Sequence, residues 1–193
     1  MLDNYPRPSV STDVVVFSVV NDRLSILLIE RRHPPYQGMW ALPGGFVNLD
    51  ESLEDAARRE LEEETGVKNP FLEQLYTYGD PDRDPRGRVI TVSYFALISP
   101  DMAAKSTAGS DAASIKWHDI DQLPELAFDH KDIITYAVTR LRYKFEHSTV
   151  GFELLPDEFT LTDVQKLYEI VLDEELDKRN FRRRILSAKI IEP

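Results

Sequence analysis

The chain has 193 residues, 42% of them apolar, with 12 prolines spread along it and a formal charge of -11. That balance fits one packed domain of ordinary size plus a small appendage, excludes a disordered or fibrous chain, and argues against indiscriminate coating of nucleic acid, which needs a general excess of Lys and Arg. No apolar run approaches the roughly 18–20 residues of a membrane span, "MLDNYPRPS" lacks the pattern of a secretory leader, and the absence of cysteine leaves carboxylates and four histidines as metal ligands, so the expectation is a cytoplasmic protein with no membrane association.

In chain order, "TDVVVFSVV" and "LSILLIERR" are β-branched runs joined by "NDR", which reads as a hairpin, and "WALPGGFV" is a further extended piece punctuated by Pro and Gly. The period then changes. From Ser52 to Thr65 small and apolar positions recur at helical spacing, with Ser52 and Asp55 as a capping-box start and Gly66 as a C-cap. Strands resume at "EQLYTYG", "RVITVSYFALIS" and "SIKWHDI", the first two separated by the loop "DPDRDPRGR". "KDIITYAVTRLRYKFEH" is an amphipathic helix with Ile133, Ala137, Leu141 and Phe145 along one face. A boundary falls near "STVGFELLPDEF", dividing residues 8–147 from residues 148–193. Beyond it "TLTDVQKLYEIVL", with Thr160 and Thr162 as competing N-caps, and "LDKRNFRRRIL" read as two helices joined by a turn, an arrangement like a helix-turn-helix.

The helix after Ser52 carries an anomaly. Leu53, Ala56, Ala57, Glu60, Glu63 and Glu64 share one stripe, so the inward face turns acidic toward the C-terminal end, where the helix dipole disfavours anions. Like charges at i,i+3 and i,i+4 add a few tenths of a kcal/mol each. A solvated face is the ordinary explanation; a hard divalent cation, Mg2+ or Mn2+, reverses both penalties. Gly44 and Gly45 allow close backbone approach, with the Gly44 carbonyl as a further hard ligand, and Glu51 and Arg59 are placed to pair and pin the loop. Glu62 falls on the far side of the wheel and should be dispensable.

Gly45, Glu51, Arg59, Glu60, Leu61, Glu63, Glu64, Gly66 and Val67 match the signature of the Nudix hydrolases without a departure. The resemblance implies an α/β/α sandwich around a mixed sheet, here over residues 8–147, with Glu60, Glu63 and Glu64 holding the metal ions and Glu51 and Arg59 organising the loop. It also implies metal-dependent hydrolysis of a nucleoside diphosphate derivative, with the base a glutamate of the signature, such as Glu63, or an acid from a later loop, where Asp111 stands. "ERRHPPYQGMWALPGGF", "GDPDRDPRGR" and "LAFDH" look like the branch containing ADP-ribose pyrophosphatases and NrtR-type ADP-ribose-sensing regulators, which makes ADP-ribose the expected ligand. Arg31, Arg83, Arg86, Arg88 and His130 are then substrate-binding candidates, and Tyr36 one for stacking on a base. The bland alternatives are a solvated Arg/Asp hairpin, a core-covering Tyr36 and a helix-capping His130.

From Lys178 to Lys189 there are six basic residues and no acid. Either these arginines are solvated or paired with "DEELD", or Lys178, Arg179, Arg182 and Arg183 face DNA from a recognition helix. The segment resembles the helix-turn-helix of NrtR-type regulators, a partial winged-helix domain in which "SAKIIEP" stands about where the β-wing begins. Hydrolysis of ADP-ribose is the main expectation, with an ADP-ribose-sensing regulator, a homodimer on operator DNA, as its alternative.

Overall fold

Strand β1 (Ser9–Val20) organises the computed structural model, which describes residues 6–109 and 112–187. It pairs antiparallel with β2 (Arg23–Arg31) across a turn in which Asn21 and Asp22 both have positive φ, 51° and 61°, the primed geometry that suits strand twist. On its other side β1 pairs parallel with β6 (Val89–Leu97), which carries β5 (Phe71–Tyr78) antiparallel. β2 also holds β3 (Trp40–Ala41) and β7 (Ala112–Asp119), and β4 (Gly44–Phe46) lies against the start of β1.

Successive side chains of a strand point to opposite faces, and the β-branched run of β1 feeds two layers. Val14 and Val16 join a buried cluster with Ala57 and Leu61 of helix α1 (Leu53–Thr65). Val15 and Phe17 join another with Ile133, Ala137, Leu141 and Phe145 of α3 (His130–His147). The fold is the α/β/α sandwich around a mixed sheet that the sequence implies. A short helix, α2 (Pro100–Ala103), is too brief to show a period in the sequence.

The α3-side cluster continues through a 3₁₀ turn (Val150–Leu154) into α4 (Leu161–Leu172) and α5 (Lys178–Ser187). Leu154, Val164, Leu167, Tyr168, Val171, Phe181 and Ile185 are buried in one cluster with Phe17 and Ile133. Ring centroids of Phe145 and Tyr168 lie 5.0 Å apart, and those of Tyr168 and Phe181 5.2 Å. Burying Phe181 and Ile185 is worth roughly 1.5–3 kcal/mol each and fixes which face of α5 turns outward. Among the described residues no helix is long and apolar enough to cross a membrane.

Of the two competing threonines, Thr160 starts α4: its hydroxyl accepts from the Asp163 N–H, and the Asp163 carboxylate accepts from the Thr160 N–H in return. Thr160→Ala is expected to destabilise the chain by about 1 kcal/mol; a urea denaturation curve whose midpoint does not move would show that the cap contributes nothing.

Candidate functional site

Helix α1 begins at Ser52, whose hydroxyl accepts from the Asp55 N–H, and closes at Gly66 in the left-handed region, φ 69°. No basic residue occupies its last turn. The compensating charge comes from Arg59. Its Nη2 and Nε donate to the two Glu51 carboxylate oxygens at 2.6 and 2.9 Å, and its Nη1 donates to Glu60 at 2.8 Å and Glu63 at 3.2 Å. Arg59 and the Asn48 N–H hold the Glu51 carboxyl down at about 2, against an ordinary 4.5. Since the folded value lies below the unfolded one, the pair's contribution is fully present above pH 4.5 and is lost as pH falls toward 2. Burial pushes the Glu60 carboxyl up, against the pull of Arg59.

Two glycines let the sheet approach these carboxylates. A Cβ on Gly44 would stand 2.1 Å from the Thr12 carbonyl oxygen, and one on Gly45 would stand 2.3 Å from a Glu60 carboxylate oxygen. The Gly44 N–H donates to Glu64 at 2.8 Å, and Glu64 is buried. Glu62 turns away and pairs with Lys68 at 2.9 Å. An all-oxygen set of this kind suits a hard divalent cation. Among the described residues no three His, Asp or Glu side chains converge on one metal position, because Arg59 holds Glu60 and Glu63 while Gly44 holds Glu64. Asp111 lies outside the described residues.

Beside this helix an open cleft of about 100 Å³ is lined by Asp13, Arg31, Phe46, Arg83, Arg86 and His130 among others, with Gly44 and Gly45 on its α1 side. Arg83 and Arg86 come from the β5–β6 loop, which follows the bland alternative in part: most of the loop is exposed and Arg86 pairs within it, whereas the Arg83 side chain turns inward. Arg83 is almost wholly buried and makes two bonds to Asp129, at 2.6 and 2.8 Å, with Asp13 3.6 Å away. Arg86 makes a similar fork to Asp84 and lies 5.0 Å from the Phe46 ring and 5.6 Å from the Phe128 ring. Arg31 bonds the Pro35 carbonyl at 2.8 Å and sits 4.9 Å from Phe128. Among the described residues it is the cleft guanidinium with no carboxylate within ion-pair distance, and burial together with Arg86 lowers its pKa.

His130 does more than start α3. Its buried ring accepts from the Leu42 N–H through Nδ1 at 2.9 Å and places Nε2 3.5 Å from Asp13. Accepting at Nδ1 puts the neutral ring's proton on Nε2, and burial pushes the His130 pKa down, which favours that neutral form. Tyr36 meets Phe128 edge-on at 4.8 Å, outside the cleft lining. Tyr36 and Phe128 both adopt positive φ, 59° and 54°, a conformation that bulky residues seldom take unless surrounding structure enforces it. Arg88 is placed elsewhere: it is exposed, donates to the Gly79 carbonyl, and does not line the cleft.

Sequence reasoning missed Asp13, Phe46, Asp84, Phe128 and Asp129. Asp13 left a local signal, an acid inside the run "TDVVVF", and the others stand inside "WALPGGF", "GDPDRDPRGR" and "LAFDH" without a spacing that singles them out. Phe46, Asp84 and Phe128 line the cleft from β4, the β5–β6 loop and the segment before α3, and Asp129 meets it through Arg83.

On α5, Phe181 and Ile185 face the core while Lys178, Arg179 and Arg183 are exposed. Arg182 is half-buried and reaches the Thr162 hydroxyl at 3.2 Å; Arg183 reaches Asn180 at 3.0 Å. Among the described residues none of these four basic side chains pairs with the neighbouring acids of "DEELD". The face of α5 opposite Phe181 is therefore positive.

Residues 11–137 match the NUDIX domain family, and residues 151–193 match the NrtR DNA-binding winged helix domain. The chain is 41% identical over 193 residues to a protein of Acinetobacter baylyi described as an ADPR responsive transcriptional repressor, spanning 98% of this chain and 76% of that one. It is 40% identical over 130 residues to an ADP-ribose pyrophosphatase of Methanocaldococcus jannaschii, spanning 67% of this chain and 73% of that one. Shewanella oneidensis NrtR, solved in complex with a 27mer DNA, superposes with a TM-score of 0.81 at 38% identity, over 93% of this chain and 83% of the other.

Proposed function

This chain belongs to the Nudix family, and on that premise we propose that it is a DNA-binding transcriptional regulator whose Nudix cleft senses ADP-ribose. One observation carries the reading: α5 exposes Lys178, Arg179 and Arg183, with no acidic partner among the described residues, while Phe181 and Ile185 anchor it in the cluster that also underlies the cleft's α3. Hydrolysis requires no such helix. The similarity to an ADPR-responsive repressor along 98% of the chain supports the same assignment. Residues 8–147 are then the ligand-reading unit and residues 148–193 the DNA-reading unit, working as a homodimer so that two basic helices meet two half-sites.

In the cleft, Arg31 is the cation available to the first phosphate charge, and the Phe46 and Phe128 rings flank the guanidiniums. Glu60, Glu63 and Glu64 would hold a divalent ion, Mg2+ or Mn2+, with the Gly44 carbonyl beside them. Such an ion would supply Lewis-acid stabilisation of phosphate charge and would lower the pKa of a water at the site. Arg59 then keeps Glu51 and, through it, the loop after β4 in place.

The retained carboxylate set also favours a second reading, hydrolysis of ADP-ribose to AMP and ribose phosphate. Both readings are tested together. Duplexes selected by the chain from a randomised pool are titrated by fluorescence anisotropy with and without ADP-ribose, and AMP release is followed with Mg2+. The regulator predicts sequence-selective binding that ADP-ribose changes by about tenfold or more; selection that enriches no sequence at low salt overturns it. If AMP is released, Glu63→Gln is expected to lower the rate at least about 100-fold and Glu62→Gln to leave it within about twofold. Equal loss in both variants would contradict the assignment of Glu63 to the metal site.

A further inference from the structure

Arg31, Arg83 and Arg86 bring three guanidiniums to the cleft, but Arg83 and Arg86 are already held by Asp129 and Asp84. A diphosphate that has met Arg31 must contest one of these two pairs for its next charge. Arg86 and Asp84 are two residues apart in one loop, so their ion pair ties that loop to no second element. Arg83 and Asp129 instead join the β5–β6 loop to the start of α3.

Asp129 occupies the N-cap position of α3, yet its side chain makes no capping hydrogen bond. Both of its carboxylate oxygens bond Arg83 instead, at 2.6 and 2.8 Å. A carboxylate at this position ordinarily accepts from an N–H of the first turn and is favoured by the helix dipole. The His130 and Asp132 N–H groups already bond the Ala127 and Asp129 carbonyls, at 3.3 and 2.9 Å. The second position for Asp129, beside the one on Arg83, is therefore on the Lys131 N–H, reached when its backbone leaves φ -93°, ψ 18° for the extended region that a cap uses.

We propose that Asp129 is a latch between the cleft and the basic helix: it holds Arg83 when the cleft is empty and turns onto the first turn of α3 when a diphosphate takes Arg83. The proposal rests on the regulator reading above and supplies its internal connection. The start of α3 is tied to the cleft at two consecutive residues, because His130 beside Asp129 accepts from the Leu42 N–H at 2.9 Å. About 25 Å away along the same helix, Phe145 packs on Tyr168 and Tyr168 on Phe181 of α5, at 5.0 and 5.2 Å between ring centroids. Arg142 adds a bond to the Val171 carbonyl of α4 at 3.0 Å. Close-packed rings transmit a shift as a discrete repacking and absorb little of it.

The test is the ratio of DNA dissociation constants of the full chain, without and with saturating ADP-ribose, on a selected duplex. The wild type is expected to change by about tenfold or more. Asp129→Asn, which keeps the shape but not the charge, is expected to shrink that ratio below about threefold and to bring the ligand-free value near that of the liganded wild type. Tyr168→Leu interrupts the ring contacts with the latch intact, and is expected to shrink the ratio while the ADP-ribose affinity stays within about twofold. A full ratio in Asp129→Asn overturns the latch and leaves the regulator standing. A full ratio in Tyr168→Leu overturns the relay through α3; should that variant fail to fold, Asp129→Asn decides alone. A wild type that binds DNA but gives a ratio of one overturns both readings.

Discussion

Replacing Arg83 by alanine is expected to cost about 3 kcal/mol of stability and to remove most of the ADP-ribose affinity. The Arg83 side chain is 4% exposed, and its two carboxylate neighbours, Asp129 and Asp13, are 21% and 11% exposed. Taking away the cation leaves two largely desolvated carboxylates facing each other with no counter-charge, and a buried pair broken on one side costs more than the intact pair contributes. Asp129 keeps some contact with water, which places the cost at the lower end of that range. For a chain of this length the loss corresponds to a melting temperature lower by roughly 6–12 °C. Pairing the change with Asp129→Asn checks the cause: the double variant is expected to recover about 1 kcal/mol or more relative to the sum of the two singles. Additive losses, or a melting temperature within about 2 °C of the parent, would show that Arg83 is held by packing and not by its charge.

The contrast between Arg83 and Arg59 shows where sequence reading reaches and where it stops. Arg59 and Glu51 flank the start of one helix, eight residues apart, close enough in sequence for the pairing that forms at 2.6 and 2.9 Å to be read from it. The turn of Glu62 toward solvent follows from the helical wheel. Arg83 meets Asp129 across 46 residues, and no local period relates a loop to the start of a helix so distant in sequence. Asp13 reaches the cleft because β1 pairs with β4 and β6 at once, a consequence of register between distant segments. The loop's interleaved acids and arginines allow pairing within it, which Arg86 and Asp84 make. Composition says nothing about burial, which converts an exposed pair of small consequence into one that shapes the cleft. Arg88, chosen on the same composition, ends on the Gly79 carbonyl because its position at the start of β6 turns it away.

The double change Arg179→Glu and Arg183→Glu is expected to weaken DNA binding roughly 100-fold or more while leaving the fold intact. The two residues are one turn apart on α5, so their side chains share its outward face. Both are exposed, and among the described residues only Arg183 of the two makes a bond, to Asn180 at 3.0 Å. Reversal therefore removes little from the folded state, and the melting temperature is expected to stay within about 2 °C. Against a phosphate backbone each reversal replaces an attraction by a repulsion, and the loss of two phosphate contacts is expected to lower the slope of log affinity against log salt by about 2. Arg184 provides the internal control, since it lines a separate hollow with Glu146, Tyr168 and Phe181 on the other side of the helix. Arg184→Ala should then weaken DNA binding by no more than about threefold. A double variant that binds DNA as the parent does, with an unchanged salt slope, would mean that α5 is a solvated basic face and that any DNA contact lies elsewhere on the chain.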